Sequence, residues 1–77
     1  MEVSVQAFAN LKAYAPGGAG EGVSTLPEGA TLQELLERLG IPPAVEVVAL
    51  VNGKRATAAT VLAPGDRVTL FPPMEGG

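Results

Sequence analysis

The chain has 77 residues, five Lys plus Arg against eight Asp plus Glu for a net charge of −3, and neither Cys nor His. That length allows one small domain with a single core, and 47% hydrophobic against 17% charged residues is the composition of a folded globule rather than a disordered tail. Without Cys or His there are no disulfides, Ser-His or Cys-His nucleophile pairs or thiolate-bound metals, and the negative balance opposes nucleic-acid binding, which depends on neutralised phosphates.

The N-terminus, Met1-Glu2-Val3-Ser4-Val5, has no basic segment, and the longest aliphatic run, Val47 to Val51, is far too short to span a bilayer. A cytoplasmic location with no membrane partner is expected. Val3, Val5 and Ala7 alternate with Glu2, Ser4 and Gln6, the period of a strand with one buried face. Phe8, Leu11 and Tyr14 then recur at helical spacing before Pro16, which predicts a short helical turn. Pro16 to Gly22 reads as a flexible hairpin loop; a phosphate cradle would need a closing Gly-Lys-Ser/Thr that is missing here.

Val23 to Leu26 reads as a second strand, ended by Pro27-Glu28-Gly29. Thr31 opens a helix, and Glu34 three residues on predicts a reciprocal capping box. Leu32, Leu35, Leu36 and Leu39 line one face of that helix while Gln33, Glu37 and Arg38 line the other, and Gly40 with Pro42-Pro43 stops it. The leucine stripe reads as core rather than a partner groove. Val47 to Val51 has the continuous aliphatic character of a strand packed on both faces or in mid-sheet.

Asn52-Gly53 is a strong hairpin signal leading into Lys54-Arg55-Ala56. Lys54 and Arg55 read as a solvated turn, with a nucleotide contact as the alternative. Thr60 to Leu62 suggests a single turn, Pro64-Gly65-Asp66 a β-turn, and Arg67 to Phe71 a last strand. Pro72-Pro73 cannot continue a paired ladder, so the chain leaves the sheet there. A leucine-faced helix needs a sheet to cover, which gives a two-layer α+β domain of four to five strands with the first and last as central neighbours.

The domain accordingly spans residues 1–71 and a flexible tail spans 72–77. Six extended residues reach roughly 20 Å. Pro72 and Pro73 stiffen the base, whereas Gly76 and Gly77 carry no Cβ and fit a narrow channel. A terminal carboxylate at Gly77 is an anion at neutral pH and a poor acyl donor until activated. Adenylation by a nucleotide-using partner makes a mixed anhydride, from which a sulfur nucleophile or a lysine amine displaces AMP. No catalytic side chain is then required of the chain itself. A Gly-Gly ending alone is weak: at this glycine content it arises by chance in about one sequence in sixty, and a frayed terminus is the plain alternative.

Phe8-Ala9-Asn10-Leu11, Pro27-Glu28-Gly29-Ala30-Thr31-Leu32, Val51-Asn52-Gly53, Pro64-Gly65-Asp66-Arg67-Val68 and Phe71-Pro72-Pro73-Met74-Glu75-Gly76-Gly77 together resemble the ubiquitin-like β-grasp sulfur carriers. The likeness is greatest to the small subunit of molybdopterin synthase, with the sulfur carrier of thiamine biosynthesis as a relative. It implies a mixed sheet with one main helix across one face. It also implies an E1-like enzyme that uses ATP to adenylate Gly77, a sulfur donor of the cysteine desulfurase or rhodanese type, and a thiocarboxylate on Gly77. The loaded tail, Pro72, Pro73, Met74, Glu75 and Gly76 included, would then enter the synthase large subunit to build the dithiolene of molybdopterin. No bound cofactor, metal or autonomous catalysis is implied, only a non-catalytic subunit. The Gly-rich loop and Met74-Glu75 depart from the family's usual residues.

Alternation along the last strand puts Val68 and Leu70 under the helix and Arg67, Thr69 and Phe71 on the open face, where Val48 and Leu50 join them. Phe71, Leu50 and Val48 would make an apolar docking patch beside the tail; ordinary packing under a loop is the alternative. Other functions stay open: sulfur transfer to thiamine, tRNA or cysteine synthesis, conjugation of Gly77 to lysines as a protein modifier, or a non-covalent domain with an idle tail. Iron–sulfur proteins of the same topology are excluded by the lack of Cys.

Overall fold

A computed structural model describes residues 1–73 of the chain. Strand β1 is Glu2–Ala7, and every second residue, Val3, Val5 and Ala7, is buried. Strands β2 (Glu21–Thr25), β3 (Val48–Val51), β4 (Lys54–Ala56) and β5 (Arg67–Phe71) complete a five-stranded sheet in the order β2-β1-β5-β3-β4. The first and last strands lie side by side and parallel, with Val5 beside Val68 and Ala7 beside Leu70; all other pairings are antiparallel. The sheet is therefore mixed, and β5 sits at its centre.

Helix α1, Leu32–Arg38, is the α-helix of the described residues. Thr31 caps it by accepting the Glu34 amide at 3.3 Å. Only this half of the expected capping box forms, and Thr31 also bridges to Val61 as a two-residue piece of sheet. The helix ends when Gly40 donates to Glu37 at 3.0 Å and Ile41 to Leu36 at 3.2 Å, the double bond pattern of a Schellman stop. Leu32 and Leu35 are buried with Val3, Val5, Val68 and Leu70, and Leu36 and Leu39 pack against that core from its margin. Helix on one face of a mixed sheet is the ubiquitin-like β-grasp arrangement.

Asn52 (φ 53°) and Gly53 (φ 84°) both take the left-handed backbone that a two-residue type I′ hairpin demands, so β3 reverses directly into β4. Pro64 and Gly65 reverse the chain before β5, closed by the Asp66 amide on Ala63 O at 3.1 Å.

The short helical turn expected before Pro16 is present, and three other local expectations are corrected. The Phe8 to Tyr14 stretch makes a 3-10 helix over Ala9–Tyr14, with Phe8 still extended (φ −121°, ψ 161°). The Gly-rich segment is not an open loop, since Pro16–Gly18 forms another 3-10 turn and β2 already begins at Glu21. A Cβ at Gly22 would stand 2.5 Å from Pro16 O and 2.8 Å from Pro16 Cβ, so the segment lies directly against the strand and only glycine permits the approach. The turn expected at Thr60 to Leu62 instead spans Thr57 to Thr60, with the Thr57 amide on Thr60 Oγ1 at 3.0 Å. Finally β3 starts at Val48 rather than Val47.

Candidate functional site

The tail is launched from β5. Its last rung pairs Phe71 with Val48; Pro72, lacking an N–H, offers no further donor, and Pro72 and Pro73 lie outside any strand. Because β5 is flanked by β1 and β3, the exit point is the middle of the sheet. Met74, Glu75, Gly76 and Gly77 lie outside the described residues.

Two rungs gather the residues named for the docking patch. Val48 stands opposite Phe71, and Leu50 opposite Thr69, one rung further along the same face. All three are half-buried, and none belongs to the apolar residues that pack on the helix-side core, which Val47, Ala49 and Val51 join instead. Alternation thus divides β3 cleanly between the two layers.

Phe8 extends this strip and was not expected in it. Its amide donates to Leu70 O at 3.0 Å, one step past the Ala7–Leu70 neighbour pair. Its parity is that of exposed Ser4 and Gln6, which assigns the ring to the open face, where it is 42% exposed. Phe8, Phe71 and Val48 therefore fall in one line across β1, β5 and β3. The helical spacing of Phe8 with Leu11 and Tyr14 concealed this; the usable signal was that Phe8 also continues the alternation of Ser4 and Gln6.

Away from the strip the same face is mostly polar. Ser4, Gln6, Glu21, Arg67 and Thr69 line a concavity there, joined by Val23, which pairs with Ser4 and is 56% exposed, and Arg55 on edge strand β4 stands opposite Leu50. Lys54 and Arg55 are both exposed, as a solvated hairpin requires. Behind them Asn52 is held on both amide atoms, its Nδ2 donating to Asp66 Oδ1 at 2.9 Å and its Oδ1 accepting the Arg67 amide at 3.0 Å.

Among the described residues no group of three or more acidic side chains converges on a possible metal position. No helix among them is long and apolar enough to cross a membrane. What they present is a sheet face with an apolar strip and a strand that ends at its middle.

A sequence profile described as the ThiS family matches residues 5–77, nearly the whole chain. The chain belongs to the ThiS family. Among solved structures, a putative molybdopterin converting factor subunit 1 from Pyrococcus furiosus is 28% identical with a TM-score of 0.82, over 96% of this chain and 99% of that one. Small archaeal modifier protein 1 from Haloferax volcanii is 26% identical with a TM-score of 0.78, over 95% of this chain and 98% of that one. Subunit 1 in a complex of subunits 1 and 2 of the molybdopterin-converting factor from Helicobacter pylori shares the fold at 23% identity, with a TM-score of 0.67 and full coverage of both chains. No curated protein sequence matches. These likenesses define this ThiS-family chain as a ubiquitin-fold protein of the sulfur carrier or modifier type.

Proposed function

We propose that this ThiS-family protein carries sulfur as a thiocarboxylate on Gly77 and donates it as the small subunit of a molybdopterin synthase. The observation that carries the reading is the end of β5, where Phe71 pairs with Val48 at mid-sheet and Pro72-Pro73 direct the chain toward Met74-Glu75-Gly76-Gly77. The family match through residue 77 and the likeness to a molybdopterin converting factor subunit 1 support it.

In this reading the Gly77 carboxylate attacks the α-phosphorus of ATP on an activating enzyme, pyrophosphate leaves, and an acyl adenylate forms. The terminal sulfur of a persulfide on a cysteine desulfurase or rhodanese-type donor displaces AMP to give an acyl disulfide, and a partner thiol then cleaves its S–S bond, leaving a disulfide on the partner and the thiocarboxylate on Gly77, so one sulfur replaces one carboxylate oxygen. The tail then enters a synthase large subunit, with Phe71, Leu50, Val48 and Phe8 seated on each partner in turn. The chain contributes no base or nucleophile; both partners do the chemistry. Binding of the loaded chain to a molybdopterin synthase large subunit, followed by loss of its sulfur to the pterin precursor, tests the assignment. Binding without sulfur transfer would overturn it.

A second reading is favoured by the likeness to small archaeal modifier protein 1, in which Gly77 is joined to lysine amines. Adducts linked through Gly77 in cells, found by mass spectrometry, would support that use, and their absence would leave the carrier role alone.

A further inference from the structure

Asn52-Gly53 turns β3 into β4 with both residues exposed. An asparagine followed by glycine is also the pair most open to internal attack, because no side chain shields the glycine nitrogen. A Cβ at Gly53 would find open space, so no neighbouring segment crowds the turn on that side either. The carboxamide is what is restrained. Its Nδ2 donates to Asp66 Oδ1 at 2.9 Å, and its Oδ1 accepts the Arg67 amide at 3.0 Å. Asp66 is itself positioned, since its Oδ2 accepts the Ala63 amide at 2.8 Å.

We propose that Asn52 is a deamidation site held in check by Asp66. When the clamp opens, the Gly53 backbone nitrogen attacks Asn52 Cγ and loses its proton as the new C–N bond forms. The Cγ–Nδ2 bond breaks and ammonia leaves, giving a succinimide. Water then opens either carbonyl, leaving aspartate or isoaspartate at position 52, with no oxidant or reductant involved. The product sets a carboxylate where a donor had faced Asp66, replacing a hydrogen bond by like-charge repulsion, and the isoaspartate form adds a backbone methylene to a two-residue turn whose geometry is fixed by φ > 0 at both positions. The damage falls where β3 meets the start of β5, at the opposite end of those strands from Val48 and Phe71, so it loosens the sheet before it alters the apolar strip.

The test ages the full chain in warm, mildly alkaline buffer and follows the amide-to-acid mass gain, with peptide mapping for isoaspartate at residue 52. A hydrogen bond to a charged acceptor makes clamp opening rarer by a factor on the order of ten, so Asp66→Ala should deamidate about that much faster than wild type, with Asp66→Asn, which keeps an acceptor, between the two. Ile41→Val, a mild core truncation that leaves Asn52 and Asp66 intact, controls for general loosening, and circular dichroism verifies that each variant is folded during ageing. Equal rates for wild type and Asp66→Ala, equal acceleration by Ile41→Val, or a gain confined to Asn10 would overturn the proposal.

Discussion

Phe71 closes the β5 ladder directly opposite Val48, one residue before Pro72 ends the supply of amide donors. The apolar strip and the tail therefore share one strand end, so a partner that seats the strip also fixes where the tail emerges. Leu50→Ser, which touches the strip but not the core, should weaken binding to the activating enzyme by about 1–3 kcal/mol. Its loss of thermal stability should be about 1 kcal/mol or less. Titration calorimetry against that enzyme checks this, with Glu37→Ala on the exposed face of α1 expected to bind like wild type.

The helix is anchored by Leu35, which has no exposed surface. Leu35→Ala should cost about 2–5 kcal/mol through lost burial and the cavity left behind, a large share of what a domain this small possesses. Leu36→Ala, at the rim of the core, should cost clearly less. Urea unfolding of the two variants side by side gives the comparison.

Gly22 is the tightest glycine among the described residues, its hypothetical Cβ meeting Pro16 O at 2.5 Å. Gly22→Ala should lower stability by about 1–3 kcal/mol, the usual cost of overpacking, although Gly22 lies in an exposed edge strand where alanine would ordinarily be harmless. Thermal melts measure it.

That position also shows what the sequence could not reveal. Each piece of fold set by neighbouring residues was legible: the Val3-Val5-Ala7 alternation, the Thr31 cap and leucine stripe of α1, the Asn52-Gly53 hairpin, the Pro64-Gly65 turn and the β5 span. Beyond the local shift of the Thr57–Thr60 turn and the one-residue offset of β3, what was misread or missed depends on contacts between distant segments. Gly22 is strand because β1 pairs with it and Pro16 leaves room for nothing larger, whereas its own residue type argues for a loop. Phe8 satisfies both a helical and an alternating spacing, and only its amide bond to Leu70 O decides between them. Asn52 and Asp66, 14 residues apart, each fit a separate turn, so their union was invisible. Of the site itself, Phe71, Leu50 and Val48 followed from alternation alone, and Phe8 required the register of β1 on β5.

Thr31 supplies the side-chain cap of α1. Thr31→Ala should destabilise the protein by about 1 kcal/mol, and Thr31→Ser, which keeps the hydroxyl acceptor, should recover most of it. Paired chemical denaturation curves distinguish the lost cap from the lost methyl group, since only the alanine variant should shift strongly.

Removing Gly76-Gly77 should leave the fold untouched, since the described core and sheet end at Phe71, while abolishing sulfur loading. An unchanged melting temperature with no loading is the expected pair of results.

In the proposed function, sulfur is carried on the terminal carboxylate of Gly77. Intact-mass analysis of the full chain after incubation with the activating enzyme, ATP and a sulfur donor tests it most directly. The expected result is a mass gain equal to one sulfur replacing one oxygen, mapped by fragmentation to Gly77 and dependent on ATP. An unchanged mass with an enzyme shown to bind the chain, or sulfur located on any other residue, would contradict it.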